Sequence, residues 1–302
     1  MRAAFLSMTG NRQFMAEDIQ SDPMGGASDA EQIVLRLSCL DFAWDIERAL
    51  EFALFRTFAV PSISSLLHKT GTFRNETRKR YDDTEILISE VVENGFESDR
   101  AHQAISRINA MHSAYRISNV DMLYVLSTFV FEPIRWIERF GYRALTSEEK
   151  QALFAFYRQL GERMGIRDIP ENAEEFEAFN RAYESAHFKF SESNVAVAKP
   201  TMDLMLGFYI PRFMWPMGRP VLRAMMDPPL LKAMGFKPAP RLVVGLVMFG
   251  LRARCWGLSW LPKRKRPHFI SRVSRPTYPA GYRIDELGTF PGCPVHRQSS
   301  NG

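Results

Sequence analysis

The sequence predicts an all-α protein folded as a single helical domain with an irregular C-terminal tail, and three observations predict it. Apolar residues recur at helical spacing along nearly the whole chain. Capping boxes, Ser28-x-x-Glu31 and Thr146-x-x-Glu149, open two of those segments by offering side-chain partners to orphan backbone N–H groups. Alternating patterns long enough for strands are absent.

Residues 1–27 read as a mobile N-terminal arm that ends in the turn cluster SDPMGGAS. From Ser28 the residues Ile33, Leu37, Leu40, Trp44, Ile46, Leu50, Ala53 and Leu54 keep helical spacing, which predicts one long helix stopping at Pro61. A shorter helix over 62–70 ends at Gly71, and another over 75–93 stops before Asn94-Gly95. Ser98 caps a segment that sets Ile105, Ile108, His112 and Tyr115 on one stripe. Ser118-Asn119-Val120-Asp121 then starts MLYVLSTFVFEPIRWIERF, a segment apolar enough to lie in the core, with Pro133 as a kink and Gly141 as its end. A helix from Thr146 runs to about 164. After Pro170 the acidic turn ENAEE opens a helix carrying Phe176, Phe179, Tyr183 and His187, its carboxylates at the positive end of the dipole. Further helices fit 194–208, 220–226 and 240–258. Beyond Pro262 the Pro, Arg and short apolar pieces predict an ordered irregular tail, then a disordered C-terminus over 293–302. With no repeat and no linker, 28–292 is expected to be one domain.

Composition narrows the class. Apolar residues are 46% and charged residues 24%, near the globular average, so a disordered or low-complexity chain is excluded. Cys39, Cys255 and Cys293 are odd in number and far apart, which leaves no disulfide framework and makes the cytoplasm the expected compartment. The longest strongly apolar uncharged run, 242–251, has 10 residues, so no membrane span is expected. Between Asp227 and Asp285, however, twelve Lys and Arg stand with no acidic residue. Together with Trp256, Trp260 and the basic run 263–266, that stretch fits peripheral contact with a membrane surface. The alternative is a core helix at 242–251 followed by a solvated turn. The basic run has no interleaved aromatics, so no nucleic-acid partner is expected. Motifs for dinucleotides, P-loop phosphates, zinc proteolysis and nucleophile-elbow hydrolysis are all missing.

Two positions stand out. His112 shares its stripe with apolar residues and should point inward, whereas His102 sits among Asp99, Arg100 and Gln103. An inward histidine can be a haem ligand, another metal's ligand, or a core histidine bonded to a carbonyl, and the base rate favours the last. Arg80 and Thr84 are one turn apart on a face continued by Leu87, Ile88 and Val91. Taken alone they also read as a solvated turn with an Arg80 contact to Asp83 or Thr84.

The order Arg80-x-x-x-Thr84, then His112, then the block Asp121-Met122-Leu123-Tyr124-Val125-Leu126 resembles the oxygenase family that includes latex clearing protein, a rubber oxygenase, and the membrane-bound oxygenase of mycophenolic acid biosynthesis. The segments KRYDDTEILISEVVENGF, YRQLGERMGI, MDPPLLKAMGF and RPTYPAGYRIDELGTFP are similar too, and the likeness covers about 44–291. The resemblance implies an all-helical domain with a globin-like core holding haem b. It implies His112 as the proximal iron ligand, and Arg80 and Thr84 as pocket residues with cofactor-binding and catalytic roles. It further implies an oxygenase that uses O2 on an apolar, isoprenoid-type substrate. The alternative on the same helices is a non-catalytic haem, lipid or isoprenoid carrier. Some members place a distal lysine between the Arg and the Thr, where this chain has Tyr81, Asp82 and Asp83, and no residue here matches the carboxylate proposed as their base.

Overall fold

A computed structural model describes residues 27–262 and 264–288. The predicted C-terminal end over 293–302 and all but the last residue of the predicted N-terminal arm lie outside the described residues, as do Lys263 and Cys293. Among the described residues every regular element is helical, and the one β-type pairing is the isolated bridge between Arg275 and Tyr278.

The first helix is α1, Asp29–Arg36, opened by the predicted capping box: the Ser28 amide donates to Glu31 at 2.7 Å. The other Glu31 oxygen accepts from the Phe96 amide at 2.7 Å, so one buried carboxylate closes a helix end and ties it to a distant turn. The single long helix expected from Ser28 to Pro61 is in fact divided. Leu37–Asp41 winds as a π-helical turn, with the Phe42 amide donating to the Leu37 carbonyl at 2.9 Å, and α2 restarts over Ala43–Phe58. The extra residue in that turn rotates the later apolar face, which a constant period cannot register.

Pro61 at the first turn of α3, Pro61–Thr70, turns the chain by 98° from α2, and Gly71 ends it at φ +73°. After the short α4, Thr72–Asn75, Glu76 leaves the helical region, so α5 spans Thr77–Asn94 rather than starting at Asn75. Then come α6, Asp99–Ser113, and the central α7, Asn119–Phe140, which continues through Pro133. α2 and α7 make the most extensive helix pair, with Phe52 stacked on Trp136 at 5.4 Å. α8, Ser147–Arg163, covers α1 and α7, and α9, Ala173–His187, covers the far side of α7. Arg56 of α2 binds Glu132 of α7, Glu184 of α9 and Asp227 together, so several elements share one half-buried cation.

α10, Glu192–Gly207, backs α3. α11, Trp215–Arg223, begins earlier than the expected 220, because Pro216 sits harmlessly in its first turn. α12, Pro228–Ala233, was not expected, although Asp227 caps it and Pro228 pre-forms its start. α13, Arg241–Trp260, agrees with the expected helix over 240–258 and differs from the sequence reading in burial and in the extent of its apolar character. It contains no buried residue, so 242–251 is not a core helix. At 20 residues it is also long and apolar enough to cross a membrane, because Arg252 and Arg254 interrupt the apolar run without ending the helix.

The tail from 264 returns over α5 as an irregular strap. The outer face of α5 buries Asp82, Asp83, Glu90 and Glu93, a costly set without partners. The strap supplies them. Arg275 reaches Asp82 at 2.9 Å, Tyr278 donates to Asp83, Tyr282 donates to Glu90, and the Ile270 amide donates to Glu93 at 2.7 Å.

Candidate functional site in a helical cavity

The inner side of the helices encloses a cavity of about 480 Å³, within the range of small-molecule sites. Its apolar wall comes from Leu50 and Leu54 of α2, Leu66 and Leu67 of α3, Leu87 and Ile88 of α5, and Val125 and Phe129 of α7. Each belongs to a helix that turns apolar side chains toward the cavity. The three sequence-predicted site residues, Arg80, Thr84 and His112, all line this one cavity.

His112 sits near the C-terminal end of α6, on the stripe with Ile105 and Ile108. Its Nδ1 is buried and has no hydrogen-bond partner among the described residues. That sets it apart from a core histidine bonded to a carbonyl, because an unsatisfied buried ring nitrogen costs about 1–3 kcal/mol. Burial, reinforced by the Arg80 guanidinium, pushes its pKa down to about 4. The imidazole is therefore neutral at physiological pH, the form that can donate a lone pair to a metal. His187 differs: it is exposed, stacks on Tyr183 at 4.0 Å and sets its Nδ1 2.9 Å from the Tyr183 carbonyl.

Arg80 hydrogen-bonds Thr84, and Thr84 donates back to the Arg80 carbonyl at 2.9 Å. The Arg80 guanidinium also lies over the Phe73 ring at 5.6 Å, and burial lowers its pKa while Asp83 acts against that. The pair thus makes the Arg80–Thr84 contact of the plainer reading and still faces the cavity. Arg78, half a turn away, points elsewhere: it pairs with Asp82 at 3.1 Å and lies over Phe208. Asp83, beside the motif threonine, is not free to act in the cavity, since it holds Lys79 at 2.7 Å and Tyr278.

Sequence reasoning missed three features. Behind Thr84 a smaller cavity of about 80 Å³ shares Leu50, Leu54, Thr84, Ile88 and Phe129 with the large one. Glu51 lines it, accepts from the Tyr81 hydroxyl at 2.9 Å, and is pushed up to about 8 by burial despite Arg48. The signal was a lone carboxylate inside the apolar run LEFALF. Arg116 adds a second cation to the large cavity. Gly288 of the strap closes that cavity against Met111, at φ +73°, where an added Cβ would lie 2.0 Å from the Met111 sulfur. No group of three or more His, Cys, Asp or Glu side chains that could hold a metal ion exists among the described residues.

Comparison with known proteins gives a consistent result. The model of the family described as ER-bound oxygenase mpaB/B′/Rubber oxygenase, catalytic domain, matches residues 50–256. The chain is 33% identical over 291 residues to ER-bound oxygenase mpaB′ of Penicillium brevicompactum, an alignment covering 89% of this chain and 65% of that protein. It is 35% identical over 224 residues to ER-bound oxygenase mpaB of Penicillium roqueforti, covering 68% of this chain and 75% of the relative. With mpaB of Penicillium brevicompactum it shares 39% identity over 153 residues, 48% of this chain and 39% of that one. The chain thus spans less than two thirds of the length of the first and third of these relatives.

Proposed function

Because this chain belongs to the family of ER-bound oxygenase mpaB/B′ and rubber oxygenase catalytic domains, we propose that it is a haem b-dependent oxygenase that uses O2 on an apolar, isoprenoid-type substrate. The observation that carries the reading is His112: a neutral imidazole with an unpartnered buried nitrogen, at the wall of a cavity of about 480 Å³ that is otherwise mostly apolar. The residues fit haem better than a bare ion. A single histidine suffices for iron that brings its own macrocycle, whereas a bare ion needs several protein donors.

In this reading His112 would hold the iron, and the helices around it would serve as a globin-like cradle. Bound haem would supply the dioxygen chemistry. The chain's own part is positioning and exclusion. Arg80, held by Thr84 and Phe73, sets a fixed positive charge at the cavity wall, suited to a propionate or to developing negative charge. Leu50, Leu54, Ile88 and Phe129 exclude water and fit an apolar substrate. Glu51, behind Thr84, is a carboxyl that can hold a proton near neutral pH. Contact with a membrane from the cytoplasmic side belongs to the same reading, supported by the words "ER-bound" in the relatives' names.

The apolar lining suits a carrier of lipid or isoprenoid equally well, so turnover must separate the two. Purified protein reconstituted with haemin should show a Soret band that His112→Ala removes, and should consume O2 with a polyisoprenoid substrate. A wild-type protein that takes up no haem overturns the reading. One that takes up haem but consumes no O2 with any apolar substrate is the carrier.

A further inference from the structure

α13 carries a second apolar surface, and none of the described residues covers it. Leu242, Leu246, Phe249, Trp256 and Trp260 are each 61–77% exposed. Their spacing puts them on one stripe of the helix. The helix is about 30 Å long at its 20 residues. Beside it, in contact through α11, Phe213 and Met217 are still more exposed than most of that stripe. An exposed apolar surface of this extent marks an interaction site.

We propose that α13, with α11 beside it, is an in-plane anchor that seats the protein on an anionic lipid surface. The inference rests on the functional reading only for the choice of lipid as partner; haem plays no part in it. Two observations select the partner and the pose. Exposed cations rim the ribbon: Arg241 and Arg252 on the helix, Arg264, Lys265 and Arg266 just beyond it, and no Asp or Glu occurs from 228 to 284. Such a rim complements anionic headgroups and repels a second copy of itself. Tryptophans at the end of the apolar stripe match the boundary between headgroups and acyl chains.

The opposite stripe of α13 sets the pose. Met248, Leu251 and Cys255 pack on the core, and Cys255 bonds the Phe140 carbonyl. Arg254 holds Asp45 at 2.9 and 3.1 Å and lies 3.9 Å from the centre of the Trp44 ring. A helix fastened over its middle, from Met248 to Cys255, to the side of α2 and α7 cannot stand across a bilayer. It lies flat with one face in lipid, as amphipathic interfacial helices do.

Cosedimentation with phosphatidylcholine vesicles, with and without phosphatidylserine, tests this. The full-length protein should bind the mixed vesicles and bind pure phosphatidylcholine more weakly. Leu246→Glu with Phe249→Glu should lower partition by about tenfold or more, with helical content unchanged by circular dichroism. With Cys255 and Cys293 replaced by Ser and buried Cys39 left in place, a cysteine added as Arg241→Cys or as Ser259→Cys should in each case react with an impermeant maleimide outside the vesicle. Binding to neither vesicle, binding that the double variant keeps, or labelling of only one end would overturn the proposal. So would a lipid-free dimer that the double variant makes monomeric, which would assign the face to a second copy. Haem content read on the same samples separates the two readings. Vesicle binding without haem leaves the anchor standing and removes the haem assignment, and haem without vesicle binding does the reverse.

Discussion

The helical cavity and the outer face of α13 both leave apolar surface without a partner among the described residues, but they do so in opposite shapes. The cavity is concave, and its wall carries a few polar groups aimed inward: the Arg80–Thr84 pair, and a His112 nitrogen with nothing to bond. α13 is convex, and its charges stand around the apolar stripe rather than within it. A concave site with convergent polar atoms selects one molecule by geometry. A convex ribbon with a charged rim selects a phase by its polarity. Amphipathic helices in this molecule therefore offer a surface suited to one discrete ligand in one place and a surface suited to an interface in the other.

The most severe way to break that distinction is His112→Ala. It should abolish haem retention, read as loss of the Soret band on gel filtration, and leave vesicle partition unchanged. Loss of both together would mean that the two regions are one functional unit.

A second prediction concerns acid. In the folded apoprotein the His112 pKa lies at about 4, against 6.5 for the free side chain. The unfolded chain therefore takes up this proton first, and stability falls as pH drops from about 6.5 to about 4. Integrated over that window the loss is on the order of 3 kcal/mol. Urea titrations of apoprotein at several pH values should show that slope in the wild type and a flatter one in His112→Gln. Equal slopes would place the imidazole in water.

Arg80→Ala should weaken haem binding by about tenfold, equivalent to ~1.4 kcal/mol, and raise the His112 pKa by removing the neighbouring charge. Arg78→Ala should do neither, since Arg78 faces Asp82 and Phe208. A haemin titration of both variants gives the contrast, and equal effects would show that α5 presents a different face. The smallest effect is expected from Tyr282→Phe, which removes the strap's hydrogen bond to buried Glu90 while Arg100 still pairs with it. It should cost about 1 kcal/mol of thermal stability and leave haem affinity almost unchanged.

How far these regions were legible in the sequence differs in the same way. Helical spacing set the faces of Arg80, Thr84 and His112 but left plainer readings open, and it was the family resemblance that singled them out; all three line one cavity. The capping boxes at Ser28 and Thr146 form as spelled out, being contacts within four residues. The break at Leu37–Asp41 escaped because a π turn changes the period without any Gly or Pro to mark it. The helix of α13 was legible over 240–258, but the length of its apolar face was not, because two arginines looked like the end of an apolar run, when Arg254 is turned inward to Asp45, a partner 209 residues away. Glu51 and the carboxylates of α5 were invisible as a group, since their partners Tyr81, Arg275, Tyr278 and Tyr282 come from other turns or from the far end of the chain.

The strap has one more consequence, and it concerns the order in which the molecule can be completed. Chains emerge from the ribosome N-terminus first, and Asp82 meets Arg275 across 193 positions. At about 5–20 residues per second, α5 waits on the order of 10–40 s with its buried carboxylates still in water. Through that interval the nascent cavity also lacks Gly288, the residue that later closes it beside Met111. The strap is thus a wall added late: until it is made, the cavity is open on the side of Met111 that Gly288 afterwards occupies.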